Sequence, residues 1–290
     1  MNLRAAHESS ELPSYRALMV VDMKNFSGEK GRDHAGVTQQ IPLLLRQSFH
    51  RCGSFDLWNA ARFHGTTGDG YFLGFKTRYL PLLLNPFLVA LQDELEYQNR
   101  ISTVEQPMRM RVSLTVGPMT DSGRNTISDG SGDARIEAHR MIDDESVRDL
   151  LARSNNTTCV AAIVSARVYE DVVISGYSAE DPDLYVPVGV TVKTYSGRAY
   201  LRVPKPSGSL LSQGFRRPGE NQNVDLAGTG EADNARQGKA SYVGISNANG
   251  PVGQVITGHG QTIHTGHGMQ YNSIPQSDPK PAIDPHENPH

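Results

Sequence analysis

Apolar positions up to Pro204 recur with two periods, and the change between them marks the elements. Ala17 to Met23 (ALMVVDM) is a continuous apolar run that carries one aspartate near its end, the pattern of a central strand buried on both faces. Val37, Ile41, Leu44, Leu45 and Phe49 fall on one stripe of a helix over 37–52. Phe55 to Phe63 and Tyr71 to Phe75 flank the turn-rich HGTTGDG and read as a hairpin. Leu80 to Tyr97 reads as a second helix with its prolines in the early part. Met108 to Val116 alternates strictly. Met108, Met110, Val112, Leu114 and Val116 lie on one face and Arg109, Arg111, Ser113 and Thr115 on the other, as in a half-exposed strand. A Gly/Asp/Ser loop runs from Pro118 to Asp133. A helix to about Arg153, a strand at Cys159 to Val164, a short helix at Ala166 to Val173 and a strand pair near Val188 to Val203 complete the series.

The first six elements spell βαββαβ, so the fold class is α+β: a ferredoxin-like core with a C-terminal α/β extension and a disordered tail. In the ferredoxin-like arrangement the strands lie in the order 4-1-3-2, with the third antiparallel to the first. The end of strand one then adjoins the start of strand three. Asp22 closes the first and Asp69 opens the third, so two carboxylates far apart in sequence meet in space.

Magnesium and manganese take hard oxygen ligands and are held by one or two carboxylates together with substrate phosphates. Asp22 and Asp69 are therefore the candidate metal ligands, for two Mg2+ or Mn2+ ions polarising a phosphate and activating an attacking hydroxyl. Backbone amides of Phe26, Ser27 and Gly28 in the following MKNFSGEKG segment are placed to hold triphosphate oxygens. Singly, an aspartate at a strand end is more commonly a cap or turn residue than a ligand, and GDG is a common turn. The inferred topology is what makes them a pair.

VVDMKNFSG followed by TTGDGYFLGF resembles the class III adenylate and guanylate cyclases, and MRMRVSLTVGPM resembles the strand that follows in that family. The resemblance spans residues 14–204 and looks closest to actinobacterial cyclase-like domains, whose later segments stand here as AHRMIDDESVRDLL and VTVKTYSGRAYLRVP. Pyrimidine cyclases of antiphage defence are similar. The resemblance implies attack of a ribose 3′-hydroxyl on the α-phosphate, giving a cyclic nucleotide and pyrophosphate in a site shared by two subunits of a homodimer. Asp22 and Asp69 would come from one subunit and Arg140 from the other, where an arginine fork suits two phosphate oxygens. Arg140 reads equally as a solvent-facing helix residue beside Asp143, Asp144 and Glu145.

The sequence departs from the purine-reading pattern of that family. Ile136 stands where an asparagine orients the ribose, and Gly65 where adenylate cyclases place a base-reading lysine. Either the substrate is another nucleoside triphosphate, such as UTP or CTP, or the domain binds a nucleotide without cyclising it; Glu137, Arg135 and His64 are the candidate substitute contacts, though each is more often a surface residue. The rival reading is a scaffold that no longer catalyses and signals through its tail. A diguanylate-cyclase-like or polymerase-palm enzyme is disfavoured by the missing Gly-Gly-Asp/Glu-Glu-Phe sequence. Arg109 and Arg111 read as a solvated sheet face more readily than as phosphate contacts, and Trp58 as core or dimer interface.

Beyond Pro204 the composition changes. Residues 205–243 read as a disordered linker, 244–272 as a separate motif and 273–290, like 1–13, as flexible ends. Gly244 to Tyr271 (GISNANGPVGQVITGHGQTIHTGHGMQY) has no lysine, arginine, aspartate or glutamate and alternates β-branched residues with Gly, Gln, Asn and Thr, the character of a steric zipper. It resembles bacterial amyloid signalling motifs, similar to the RHIM motif of animal necrosis signalling, and by that resemblance would recruit a partner protein with a matching motif. A flexible Gly-rich linker is the plainer alternative. His259, His264 and His267 lack a cysteine partner or helical scaffold for metal.

The net charge of -3 and a pI near 6.4 imply no general attraction to nucleic acid or anionic membrane. The longest apolar stretch, Leu80 to Leu91, is interrupted by Pro81, Asn85 and Pro86 and is too short to span a bilayer. Two cysteines, Cys52 and Cys159, are too few for a disulfide framework, and with no signal-peptide pattern at the start a cytoplasmic location is expected.

Overall fold

In the computed structural model, the described residues are 9–24, 34–102 and 106–217, together with two short strands at 255–258 and 261–264. The chain divides into two units, residues 1–229 and 230–290. The first unit contains β1 (Tyr15–Met23), α1 (His34–Arg51), α2 (Phe55–Asn59), β2 (Phe63–Thr66), β3 (Gly70–Lys76), α3 (Leu80–Leu84), α4 (Phe87–Ile101) and β4 (Met110–Pro118). It continues with α5 (Asp133–Asp143), α6 (Glu145–Arg153), β5 (Val160–Ser165), α7 (Ala166–Val168), β6 (Val186–Val192), β7 (Tyr195–Arg202) and α8 (Leu210–Gln213).

One seven-stranded sheet runs β2-β3-β1-β4-β5-β7-β6. Its first four strands are the expected ferredoxin-like order read from the other edge. β1 pairs antiparallel with both β3 and β4, and β4 runs parallel to β5. β1 is central, and from Ala17 to Met23 every residue is buried, as its unbroken apolar run requires. Ala17, Met19, Val21 and Met23 face a core shared with α1 and α4, including Leu45, Phe49, Phe87 and Leu91. Leu18 and Val20 face the other side, against Phe63 and Phe72 and the α5 residues Ala134, Ala138 and Ile142. Helices therefore cover both faces.

Several expectations need correction. Phe55 to Asn59 is a helix, not the start of a strand, and the hairpin strand is Phe63–Thr66. The helical turn swings Trp58 to 6.3 Å from the Phe49 ring, packing that an extended segment would forgo. The helix over Leu80 to Tyr97 is two helices, because Asn85 is extended before Pro86, which cannot donate to a helical ladder. The helix to Arg153 also breaks, at Asp144, which caps α6 by accepting from the Ser146 N–H at 2.9 Å.

The polar face of β4 is not solvated. Ser113 and Thr115 are fully buried, with Ser113 Oγ donating to the Ala138 carbonyl at 2.8 Å and Thr115 Oγ1 to Glu137 Oε2 at 2.8 Å. Arg109 is buried too, donating to the Thr158 carbonyl at 2.8 Å and to Ser154 Oγ at 2.5 Å. Polar residues alternate there because α5 and the loop after α6 offer them partners, so the period marks a hydrogen-bonded layer rather than water.

Residues past Pro204 also pack on this unit. Leu210 is 3% exposed, and the Arg153 guanidinium donates to the carbonyls of Gly214 (3.0 Å) and Phe215 (2.8 Å). In the second unit, β8 (Val255–Gly258) and β9 (Gln261–His264) form an antiparallel hairpin with Val255 opposite His264. Most of 244–272, including His259 and His267, lies outside the described residues.

Gly70 of β3 sits opposite Asp22 of β1. A Cβ there would lie 2.5 Å from Thr67 Oγ1 and 2.6 Å from the Val21 carbonyl oxygen. Gly70→Ala is therefore expected to cost about 1–3 kcal/mol in urea unfolding, whereas Gly189→Ala, with nothing within 4 Å, should be near neutral. Equal effects would contradict the close approach of β1 and β3.

Candidate functional site

The site is built where β1 ends. Asp22 pairs across the sheet with Gly70 on one side and Arg111 on the other. One residue on, the Met23 N–H donates to the Asp69 carbonyl at 3.0 Å, and the Lys24 N–H donates to the Arg109 carbonyl at 2.8 Å. The Asp69 turn is tight: the Thr67 N–H donates to the Gly70 carbonyl at 2.9 Å, and Gly68 takes φ +86°, which a residue with a Cβ rarely adopts. Thr38 of α1 donates to the Gly68 carbonyl at 2.9 Å and ties the turn to the helix. The two aspartates thus meet through backbone pairing, Asp22 buried at 9% exposed and Asp69 half-buried.

The electrostatics are unusual for so central a strand. Arg111 Nη2 donates to Asp22 Oδ2, and Arg111 Nη1 reaches the Ile142 carbonyl at 3.5 Å. Asp22 Oδ1 and Arg111 Nε are both buried with no hydrogen-bond partner among the described residues. Burial pushes the Asp22 carboxyl up from 3.8 to about 7; Arg111 opposes the shift, while Asp69 and Asp143 add to it. Burial also lowers the Arg111 guanidinium, with Asp22 opposing. Lys24 donates Nζ to the Leu151 carbonyl at 2.8 Å, and burial, then the nearby Arg109 and Arg111, hold it below its ordinary value.

A divalent cation suits this donor set. Asp22 and Asp69 sit on neighbouring strands, near enough for Asp69 to help raise the Asp22 carboxyl, and Asp22 presents a buried oxygen with no hydrogen-bond partner among the described residues. Among the described residues there is no group of three or more His, Cys, Asp or Glu that could hold a metal ion. Phe26, Ser27 and Gly28 lie outside the described residues.

Arg140 lies on α5, half-buried, with its Nε buried and unpartnered among the described residues. Ile136, one turn earlier, is 55% exposed. The substitutes proposed for base contact are engaged elsewhere. Glu137 accepts from Thr115 Oγ1 and from the Tyr195 hydroxyl (2.9 Å), Arg135 lies 4.1 Å over the Phe72 ring, and His64 Nδ1 is 2.7 Å from the Tyr71 hydroxyl. A side chain at Gly65 would meet the Phe72 ring at 2.7 Å. Sequence reasoning missed the Asp22–Arg111 pair, although the register of two antiparallel central strands carries the signal.

No family model and no curated protein matches the chain. Among solved structures, it is similar to the guanylyl cyclase domain of the RhoGC fusion protein of the aquatic fungus Blastocladiella emersonii, at 16% identity over 67% of this chain and 96% of that one, with a TM-score of 0.43. It is also similar to an adenylate/guanylate cyclase/hydrolase from Silicibacter pomeroyi, at 18% identity over 66% and 98% with TM-score 0.43. The adenylyl cyclase CyaB of P. aeruginosa matches at 11% identity over 65% and 93%, with TM-score 0.42.

Because folded Asp22 keeps a proton that the unfolded chain has released, its contribution makes stability fall as pH rises from about 4 to about 7. Asp22→Asn removes that titration. The fall in urea stability between about pH 4 and about pH 7 should therefore be shallower in the variant than in wild type. A difference that does not change with pH would contradict the burial of this carboxyl.

Proposed function

We propose that this domain is a nucleotidyl cyclase, converting a nucleoside triphosphate to a 3′,5′-cyclic nucleotide and pyrophosphate. The observation that carries the reading is the convergence of Asp22 and Asp69, joined by the Met23 N–H to Asp69 carbonyl bond at 3.0 Å. The motifs around these two residues, VVDMKNFSG and TTGDGYFLGF, support it.

In this reading Asp22 and Asp69 hold two Mg2+ or Mn2+ ions on the triphosphate. Such ions polarise the α-phosphate and ease loss of the proton from the attacking 3′-hydroxyl. The chain's task is placement. The buried strand end fixes Asp22, and the glycine-flanked turn lets Asp69 approach. Phe26, Ser27 and Gly28 offer backbone amides to the phosphates. Arg140 serves the site of a second copy in a homodimer, steadying phosphate charge; the exposed Ile136 one turn before it supports an open helix face there. Phe72 closing the space beside Gly65 supports a substrate read without a side chain at that position, UTP or CTP.

The protein would act in signalling, in the cytoplasm, with antiviral defence as the setting suggested by the resemblance. No helix among the described residues is long and apolar enough to cross a membrane. Residues 244–272 would bring in a partner protein by strand pairing, for which the β8–β9 hairpin and the uncharged, β-branched sequence are the support.

Incubating the full chain with each of the four ribonucleoside triphosphates and Mn2+ should yield pyrophosphate and one cyclic monophosphate by mass spectrometry. Asp69→Asn should lower turnover at least about 100-fold. Absence of product with all four triphosphates, or full activity in Asp69→Asn, would refute the enzyme. A peptide of residues 244–272 should form thioflavin-positive fibres, and one that stays monomeric refutes the adhesive tail.

A further inference from the structure

The last turn of α6 is a junction. A helix ends with carbonyls that its own N–H groups cannot reach, and each needs a partner from elsewhere. At the end of α6 those partners come from two distant parts of the chain. Lys24, just past Asp22, donates Nζ to the Leu151 carbonyl at 2.8 Å, a cation where the helix dipole favours one. Ser209 donates to the Arg153 carbonyl from its Oγ at 2.8 Å and from its N–H at 3.2 Å. Ser209 belongs to a strap, residues 205–215, laid on the same helix end. Leu210 shares a buried cluster with Val147, Leu150 and Leu151, and the Arg153 guanidinium gathers the Gly214 and Phe215 carbonyls. The approach is close. Gly208 takes φ +59°, and a Cβ there would lie 2.9 Å from both the Arg153 carbonyl oxygen and Asn155 Oδ1. A second line of bonds runs through buried residues. The Lys24 N–H donates to the Arg109 carbonyl at 2.8 Å, Arg109 Nε to the Thr158 carbonyl at 2.8 Å, and Thr158 Oγ1 to the Lys205 carbonyl at 2.7 Å.

We infer that Lys24 and the strap form a clamp on the end of α6 that positions the metal-holding end of β1, with Lys24 as a positioning residue. The clamp presupposes Asp22 and Asp69 as the metal-holding pair, and it adds to their support a stretch of chain beyond Pro204. Past Asp22 the backbone reaches each neighbour once, Met23 N–H to the Asp69 carbonyl and Lys24 N–H to the Arg109 carbonyl. Lys24 Nζ supplies a further anchor from outside the sheet, and the strap holds the helix end that receives it. A constellation that binds metal must be held to within about 0.5 Å, so an anchor next to a ligand bears on affinity and not on folding alone. The hydroxyls of Ser207 and Ser209 and the Leu210 side chain are spent on α6 and the loop after it. The strap therefore acts on the site through Lys24 and Arg109.

The test uses the full chain and the preformed Mn2+–tripolyphosphate complex, with calorimetry for binding and urea unfolding for stability. Lys24→Met keeps the aliphatic stem and loses the donor. It should bind the complex about tenfold more weakly than wild type, and Lys24→Arg should recover most of that loss. Gly208→Ala displaces the strap without changing any charge, which separates positioning from simple attraction to phosphate. Ser209→Ala, which removes one bond, serves if the variant at 208 fails to fold. Either should weaken binding at least about threefold in the otherwise wild-type chain. Most of that effect on binding should vanish in Lys24→Met, where only the Arg109 line survives, while the cost in urea stays the same in both backgrounds. A strap that merely stabilised the fold would lower the urea midpoint and leave binding alone. That result, full binding by Lys24→Met, or binding losses that simply add would overturn the clamp. Asp69→Asn separates the two levels. A complex bound there as tightly as by wild type, or no binding by wild type, sinks the metal-site reading itself, whereas binding lost there but indifferent to Lys24 and the strap sinks only the clamp.

Discussion

The antiparallel pairing of β1 with β3 is the constraint on which the rest depends. Without it Asp22 and Asp69 are two turn residues with no relation. With it, the Met23 N–H and the Asp69 carbonyl form one more rung beyond the Asp22–Gly70 pair, which holds the two aspartate backbones side by side. The pairing is itself enforced by burial on both sides. Ala17, Met19 and Val21 press against the α1–α4 core, and Leu18 and Val20 against α5, so a one-residue slip would turn each set toward the wrong core.

That rigidity explains how the structure tolerates a charge where a central strand would normally hold none. A carboxylate raised to about 7 by burial, a guanidinium depressed by burial and two unpartnered polar atoms are local costs. They persist because the sheet around them over-determines their positions, and such costs concentrate at sites that bind something. By contrast, the buried Glu180–Arg202 pair at the other end of the sheet is fully used. Glu180 Oε1 accepts from Arg202 Nε at 3.1 Å and Nη2 at 2.6 Å, and its other oxygen takes the Tyr185 hydroxyl. One pair is finished as structure. The other is left open.

Much of this was legible in the sequence. The apolar run ending in Asp22 could only be a central strand, and the βαββαβ order fixed which turn lay beside it. What was not legible followed from burial. The alternation in β4 has the same period whether Ser113 and Thr115 meet water or the backbone and side chains of α5, so the strand read as half-exposed. For the same reason Arg109 and Arg111 read as surface residues. Phe55, Leu57 and Trp58 suit a strand by composition, yet the contact between Trp58 and Phe49 is made by a helical turn. After Pro204, the chain is held by the buried Leu210, by Ser207 and Ser209 bonded to Thr158, Asn155 and Arg153, and by the carbonyls gathered by Arg153, polar contacts that do not register in composition.

The claim that matters most is that Asp22 and Asp69 grip one metal-bound triphosphate. Crystals grown with Mn2+ and a non-cleavable nucleoside triphosphate, measured at the manganese absorption edge, test it directly. The account predicts an anomalous peak within about 2.5 Å of a carboxylate oxygen from each aspartate. A nucleotide bound elsewhere, or manganese touching neither residue, would contradict it.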